Sequence, residues 1–294
     1  MASVQSACIR FLLRRANLWN KPLAEIRENL NKVKPQGIPS GVSEEFVSIN
    51  GVNCKVLIPA ESLNKKAILY FHGGGFCLGI YNPNREFAAR MAKESEVKVF
   101  MPDYRLAPEN PFPAALEDAM AVYKGMLHEG YSASSIIVAG DSSGCGLLLS
   151  ALLALKESGV EMPSSISLIT PALDFAGKGE SFLTKAKFDP FRLKDPLGVA
   201  KVYVGTNNPL SPDISPLYGD AAGLPPILIH GAEYDVFVSD AVRFEEAARQ
   251  AGVDVRLKTW QKMWHIFHMQ DIVVPEAKEA LREMCAYMRA KLEK

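Results

Sequence analysis

The fold of this chain is decided by the stretch Ile136-Ile137-Val138-Ala139-Gly140-Asp141-Ser142-Ser143-Gly144. Its first four residues are apolar, as in a strand buried on both faces of a sheet. The next five are small or polar, and residues 147–155 then form an apolar run of helical length. The sequence therefore predicts a strand, a tight turn and a helix in immediate succession.

The same pattern of apolar runs and helical segments continues on both sides of this stretch. Short apolar runs followed by helical segments predict a mostly parallel sheet flanked by helices, an α/β fold. Asn50-Gly51 between two alternating segments predicts an antiparallel hairpin at the start of the domain. The predicted strands are residues 45–49, 54–58, 67–71, 97–101, 136–139, 167–170, 227–230 and 255–259, and the predicted helices are 85–95, 113–129, 144–158 and 240–251.

Two regions break the alternation of strands and helices. Residues 3–30 have apolar groups at helical spacing, which predicts one or two amphipathic helices. Residues between Leu173 and Leu224, about fifty, contain one plausible helix near 196–203 and are too long for an ordinary connection. We expect residues 1–42 and 174–217 to form a helical cap over a catalytic core made of residues 43–173 and 218–294.

Charge and cysteine content narrow the classes of function. The 33 basic and 33 acidic side chains cancel, so the sequence predicts no nucleic-acid or membrane partner. The 5 cysteines lack metal-ligand or disulfide spacing, which predicts no metal site and a reducing, cytoplasmic location. No signal-peptide core is present at the N-terminus.

The turn after residue 139 has the spacing Gly-x-Ser-x-Gly. Between a strand and a helix this pattern indicates a nucleophile elbow, a strained turn that exposes a serine hydroxyl. The flanking glycines Gly140 and Gly144 assign the nucleophile to Ser142, because Ser143 would be flanked by Asp141 and Cys145. The alternative is a turn of small residues in which the serine only caps the helix.

A second motif, His72-Gly73-Gly74-Gly75, follows the buried strand at residues 67–71. A loop without side chains lets backbone N–H groups approach the oxyanion that forms during acyl transfer. We expect donors from Gly74, Gly75 and the N–H of Ser143, and Gly73 is a further candidate. The rival, a phosphate-binding loop, lacks the required lysine and glycine spacing.

An activated serine needs a base and an orienting acid downstream. His265 follows the last predicted strand, whereas His268, three residues on, is better explained as a packed helix residue. Asp235 follows the strand at residues 227–230, and Asp240 is interpreted as the N-cap of the next helix. Glu233 and Asp213 are the weaker candidates for the acid. Of the other histidines, His72 is expected to support the glycine loop, His230 to lie in the core and His128 at the surface.

These motifs together resemble those of the hormone-sensitive-lipase-like esterases of the α/β-hydrolase superfamily. The matching residues include His72 to Gly75, the elbow, His265-Ile266-Phe267, Glu233-Tyr234-Asp235 and Asp103-Tyr104-Arg105-Leu106-Ala107-Pro108-Glu109. The resemblance implies ester hydrolysis without a cofactor, a cap, a structural role for residues 103–109, and a homodimer as in some bacterial relatives. Ser143 departs from the usual alanine and Cys145 from a glycine, and Cys145 suggests sensitivity to thiol reagents.

The sequence therefore predicts a carboxylesterase that acts on short- to medium-chain esters, with Ser142, His265 and Asp235 as its catalytic residues. Activity should rise with pH through about 6 to 7, because the neutral imidazole is the working base. Two alternatives stay open. An arylformamidase-like amide hydrolase would share the glycine loop, and a small-molecule receptor on this fold would lack a working triad.

Overall fold

The computed structural model describes residues 2–16, 18–191 and 193–293, and of Leu18 the backbone only. Within these residues the sheet has 8 strands in the order β1-β2-β4-β3-β5-β6-β7-β8, and only β2 runs antiparallel to the rest. The mostly parallel sheet predicted from the sequence is confirmed. The strands are β1 Val42–Ile49, β2 Val52–Pro59, β3 Ala67–Phe71, β4 Lys98–Pro102, β5 Ile136–Asp141, β6 Ser165–Ile169, β7 Ile227–Ala232 and β8 Val255–Trp260.

The predicted hairpin joins β1 to β2. Ile49 pairs with Val52, so Asn50 and Gly51 form a two-residue turn. Both turn residues have positive φ, 47° and 87°, as a type I′ turn requires. The prediction of a hairpin is thus confirmed. Asn-Gly suits this turn because few other residue pairs adopt its conformation without strain.

Five helices of the described chain flank the sheet, and the four of them with predicted bounds, α3, α4, α5 and α8, agree with the prediction to within three residues. No bounds were predicted for α9, and only approximate positions for the helices of the N-terminal and inserted regions. The largest consequence is at α8, which begins two residues before Asp240. Asp240 therefore lies inside the first turn, and its interpretation as the N-cap is wrong. The α-helices are α1 Val4–Ala16, α2 Leu23–Asn31, α3 Asn82–Ser95, α4 Ala114–His128, α5 Ser143–Glu157, α6 Ser181–Thr184, α7 Ala200–Val204, α8 Val238–Gln250 and α9 Pro275–Leu292.

Residues 174–217 contain less regular structure than any other part of the chain that the structure describes. The helix predicted near residues 196–203 is α7, which is shorter and begins later. The sequence did not predict α6, whose first residue, Ser181, is anchored by its hydroxyl to the Val236 carbonyl at 2.5 Å. Tertiary contacts, and not helix propensity, hold so short a helix.

Two layers of apolar side chains enclose the sheet. One layer packs α4, α5 and α8 against one face, and the other packs α3 and α9 against the opposite face. The strands β3, β5, β6 and β7 are consequently buried along their whole length. No helix in the described part of the chain has the length and hydropathy needed to cross a bilayer. The carboxyl ends of the central strands open toward the N-terminal helices and residues 174–217.

Candidate active site

Ser142 lies in a strained turn between β5 and α5. Its φ of 51° and ψ of −124° fall outside the ordinary regions for a residue with a side chain. The turn fits only because its neighbours are glycines. A Cβ at Gly144 would lie 2.1 Å from the Phe71 carbonyl oxygen, and one at Gly140 would lie 2.9 Å from the same atom. The end of β3 thus requires both glycines and leaves the serine projecting into a pocket.

Three side chains that are far apart in the sequence meet at this turn. His265 Nε2 lies 2.8 Å from Ser142 Oγ, and His265 Nδ1 lies 2.9 Å from Asp235 Oδ2. Asp235 is held in turn by the N–H of Phe237, which donates to its Oδ1 at 2.8 Å. Asp235 comes from the loop after β7 and His265 from the loop after β8, so the sheet brings together the residues predicted from the sequence.

The environment of His265 favours proton acceptance from the serine. Burial disfavours the imidazolium, but the adjacent Asp235 together with the charges of Asp189 and Asp141 outweighs that effect and raises the pKa of His265 above its ordinary value of 6.5. With Nδ1–H donating to Asp235, the neutral ring presents Nε2 as an acceptor for the Ser142 hydroxyl. The arrangement can therefore generate a nucleophilic serine.

The other candidate histidines and acids have different partners. His230 Nδ1 and His268 Nε2 lie 3.1 Å apart in the core, and burial lowers the pKa of both rings, to about 4 for His230. Asp240 accepts hydrogen bonds from the N–H groups of Leu173 at 2.9 Å and Asp174 at 3.1 Å. These groups stabilise the core and the loop after β6, and none of them contacts Ser142.

The glycine loop begins with a glycine whose donor is already engaged. The N–H of Gly73 donates to Asp141 Oδ1 at 2.9 Å, and Tyr70 donates to the same oxygen at 2.5 Å. A Cβ on Gly73 would lie 2.4 Å from Asp141 Oδ2, so the position must be glycine for reasons of space. The expectation that Gly73 donates to an oxyanion is wrong for this geometry, because its N–H points at a carboxylate.

The remaining donors line the pocket beside Ser142. Among the described residues, the N–H groups of Gly74 and Ser143 have no hydrogen-bond acceptor. The N–H of Gly75 donates to the hydroxyl of Ser143 at 2.8 Å. No pattern in the sequence indicates this contact, because it joins residues that are far apart in the chain. Two of the three expected donors are thus open, and the third is occupied by a side chain.

The glycine loop is supported from behind by residues 72 and 104. Tyr104 stacks on His72 with ring centroids 4.4 Å apart and donates its hydroxyl to the His72 carbonyl at 2.7 Å. Arg27, from α2, donates to the carbonyls of Cys77 at 2.9 Å and Ala107 at 2.7 Å. Both expectations are confirmed: His72 supports the loop, and residues 103–109 pack beside the site.

Cys145 follows the elbow by three residues but faces away from the pocket. Its thiol is fully buried and lies 3.0 Å from the Gly140 carbonyl. Burial raises the pKa of this thiol well above its ordinary value, so little reactive thiolate forms. The suggested sensitivity to thiol reagents at Cys145 is therefore contradicted by its surroundings.

The pocket itself is a mostly apolar cavity of about 270 Å³. Leu13 and Trp19 from the N-terminal region and Phe191 and Leu197 from residues 174–217 line it opposite Ser142. Trp19 and Phe191 meet edge to face at 5.6 Å between ring centroids, so the two regions contact each other over the site. Within the described residues, no group of three or more His, Cys, Asp or Glu side chains could hold a metal ion.

Comparison with known proteins places this site in a family. Residues 68–269 match the model of a family described as having the alpha/beta hydrolase fold. The chain is 35% identical to an esterase of Acinetobacter venetianus, over 92% of this chain and 89% of that protein. It is 34% identical to an acetyl-hydrolase of Streptomyces hygroscopicus, over 86% of this chain and 84% of that protein.

A solved structure gives the same result in three dimensions. An esterase from the bacterial hormone-sensitive lipase family superimposes with a TM-score of 0.93 at 32% identity, covering 99% of this chain and 100% of the other. The matched segment contains the serine turn, the glycine loop, Asp235 and His265. The chain belongs to the hormone-sensitive-lipase-like family of α/β-hydrolases.

Proposed function

We propose that this chain is a carboxylesterase that hydrolyses short- to medium-chain carboxylic esters through an acyl-enzyme. The observation that carries the proposal is the hydrogen-bonded series from Asp235 through His265 to Ser142, which ends beside open backbone donors. The relatives named esterase and acetyl-hydrolase support the same class of reaction. The small, apolar cavity favours a small-molecule ester as substrate.

In the first half-reaction Ser142 Oγ attacks the ester carbonyl carbon while its proton moves to His265 Nε2. The carbonyl π electrons move onto oxygen and form the oxyanion. When the oxyanion collapses, the bond to the alcohol oxygen breaks and His265 donates its proton to that oxygen. Asp235 stabilises the imidazolium throughout and keeps its own charge. Water then attacks the acyl-enzyme, with His265 taking and returning one proton, and releases the acid.

Backbone N–H groups stabilise the oxyanion in both half-reactions. Gly74 and Ser143 line the pocket, and their N–H groups, which have no acceptor in the described part of the chain, are proposed as donors. Gly75 is proposed as the third donor once the Ser143 hydroxyl rotates away from it. Gly73 contributes by having no side chain, since a Cβ there would contact both Asp141 and Ser142.

The N-terminal residues 1–42 and the inserted residues 174–217 are proposed to act as a cap on the core of residues 43–173 and 218–294. Besides the contact between Trp19 and Phe191, the N–H of Lys194 donates to the side chain of Asn20 at 2.9 Å. Both regions supply apolar lining to one pocket, so the cap would select the substrate. A homodimer, a cytoplasmic location, and the absence of a cofactor, metal or nucleic-acid partner stay predictions.

The test is hydrolysis of a p-nitrophenyl ester series by the wild type and Ser142→Ala, with the exposed Ser134→Ala as control. We expect Ser142→Ala to lose about four to six orders of magnitude in kcat, because the oxyanion donors and binding alone leave only residual catalysis. Ser134→Ala should behave as wild type. Faster turnover of aryl formamides would indicate an amide hydrolase, and no turnover of either substrate would indicate a receptor.

A further inference from the structure

The inserted segment carries a buried carboxyl group for which the mechanism above has no use. Asp189 is fully buried, although it lies in a lysine-rich stretch between α6 and α7. Its Oδ1 accepts a hydrogen bond from the N–H of Phe191 at 2.8 Å. Its Oδ2 makes no hydrogen bond of good geometry with the described residues, although the backbone of Val236 lies close to the carboxylate. A buried carboxyl with an unsatisfied oxygen is costly and calls for an explanation.

The residues next to Asp189 in the sequence contact the catalytic residues and their loops. Phe188 stacks on Tyr234 with ring centroids 5.0 Å apart, and Phe191 meets the His265 ring edge to face at 6.5 Å. The two phenylalanines that flank Asp189 thus contact the loop that carries Asp235 and the ring of His265. The Val236 backbone interacts with the Asp189 carboxylate. Asp189 lies near enough to Asp235 and His265 for their charges to interact with its own.

We infer that Asp189 is a positioning residue, a second carboxylate that acts with Asp235 to stabilise the imidazolium of His265. This inference rests on the proposed triad. Asp189 makes no hydrogen bond to the ring, so it acts through space, and burial makes such an interaction stronger than it would be in water. Because Asp189 belongs to the inserted segment, that segment would both line the pocket and adjust the base.

The charges around His265 support this role. Burial lowers the pKa of the imidazole, whereas Asp235, Asp189 and Asp141 all raise it, and the buried His268 is the other titratable ring that interacts with His265. The Arg10 guanidinium lies 4.8 Å from the centroid of the Tyr234 ring. Burial and the Asp235 charge raise the pKa of Asp189 itself to about 7, so its ionisation falls in the working range of the base.

The experiment compares the pH dependence of kcat/KM for wild type, Asp189→Asn and Asp213→Asn with one p-nitrophenyl ester. Asparagine keeps an acceptor for the Phe191 N–H and removes the charge. Asp213 is an exposed aspartate of the same segment and serves as the control. For Asp189→Asn we expect kcat to fall about tenfold at pH near 8 with KM unchanged, because the imidazolium loses a neighbouring charge.

The pH profile separates this role from a purely structural one. Asp189→Asn should move the acid-side midpoint to lower pH by about half a unit to one unit, because the charge that raised the pKa of His265 is gone. Asp189→Glu should have the same midpoint as wild type, because it keeps the charge. Asp213→Asn should also have the wild-type midpoint. An Asp189→Asn midpoint equal to that of wild type, whatever the rate, overturns the inference.

Two further measurements keep the outcome decisive. If Asp189→Asn does not unfold cooperatively, Asp189→Ser takes its place with the same expected shift, since serine also retains an acceptor. Ser142→Ala is assayed alongside. Activity of Ser142→Ala close to that of wild type would refute the proposed function itself, whereas a Ser142→Ala with only residual activity and an unshifted Asp189→Asn refutes only the role of Asp189.

Discussion

The serine turn at residues 140–146 and the inserted segment at residues 174–217 line the same pocket but are held in different ways. In the turn, glycines bring backbone against backbone, and a Cβ at Gly144 would collide with the Phe71 carbonyl. In the inserted segment, α6 and α7 span only 4 and 5 residues and are fixed by side-chain contacts. Large apolar side chains such as Leu183 remain exposed there.

The difference indicates how the molecule divides its tasks. Backbone contacts leave one arrangement for Ser142, and the reaction needs its oxygen held in one place. Side-chain contacts in the inserted segment can be exchanged one at a time, which suits a surface that selects substrates. Substitutions in the turn should therefore affect the chemistry for every ester, and substitutions around the cap should change which ester is preferred.

The largest contrast is expected between Gly144→Ala and Gly198→Ala. At position 144 the new methyl group meets the backbone oxygens of Phe71 at 2.1 Å and His72 at 2.7 Å, which cannot yield as a side chain would. We expect a loss of about 3 kcal/mol or more in the free energy of unfolding from overpacking. The displaced serine should also lower kcat/KM about a hundredfold or more.

At position 198, in the inserted segment, the nearest atom to a new Cβ is the Asp195 carbonyl oxygen at 3.3 Å. Gly198→Ala should change the free energy of unfolding by less than about 1 kcal/mol and leave kcat/KM within about twofold. Urea unfolding and ester hydrolysis measure both quantities. Equal effects of the two substitutions would show that the turn is no more constrained than the inserted segment.

The pH profile of kcat/KM should show a defined acid limb for this rigid site. The neutral imidazole of His265 is the working base and its pKa lies above 6.5, so kcat/KM should rise with pH to a midpoint above that value. Below the midpoint the rate should fall about tenfold for each pH unit. Initial rates corrected for spontaneous hydrolysis provide the measurement. A flat profile between about pH 5 and 8 would mean that no such base is required.

Trp19→Ala tests whether the proposed cap selects the substrate. Trp19 lines the pocket and packs against Phe191, so its loss removes apolar contacts available to the acyl chain. We expect kcat/KM for the hexanoate ester to fall about tenfold more than that for the acetate ester. Phe46→Ala, at an exposed position far from the pocket, is the matched control. An equal loss for both esters would place Trp19 in the support of the catalytic residues.

The smallest effect is expected from Ser143→Ala. The serine hydroxyl accepts the N–H of Gly75 in the structure and so competes with an oxyanion for that donor. Removing it should raise kcat about threefold, the size of one modest hydrogen bond. Steady-state kinetics with the acetate ester give the answer. A tenfold loss would show instead that the hydroxyl itself donates to the oxyanion.

Much of the site was predictable because its signals are local. The elbow glycines at 140 and 144 are needed by the turn itself, and the glycine loop is needed for close approach of the backbone. Asp235 follows the buried strand β7 and His265 follows the partly buried edge strand β8, and the parallel sheet places the loops after both strands at one edge. The sequence therefore predicted which motif follows which strand, and it predicted the three side chains that meet.

What the sequence missed depends on contacts between distant segments. In the sequence Asp189 has the features of an ordinary charged loop residue. Its position near the triad depends on the contacts of Phe188 with Tyr234 and of Phe191 with His265. The contact between Gly75 and Ser143 joins two loops, and its effect on donor availability has no local pattern. Asp240 was misjudged because α8 begins at Val238, which frees its carboxylate to hold the loop after β6.

The most direct test of the account is covalent labelling with a fluorophosphonate, followed by peptide mass spectrometry. The account predicts one phosphonate per chain on Ser142, formed in step with the loss of esterase activity, and greatly slowed labelling in His265→Ala. A label on Ser143 in place of Ser142, or a fully active protein that takes up no label, would contradict it.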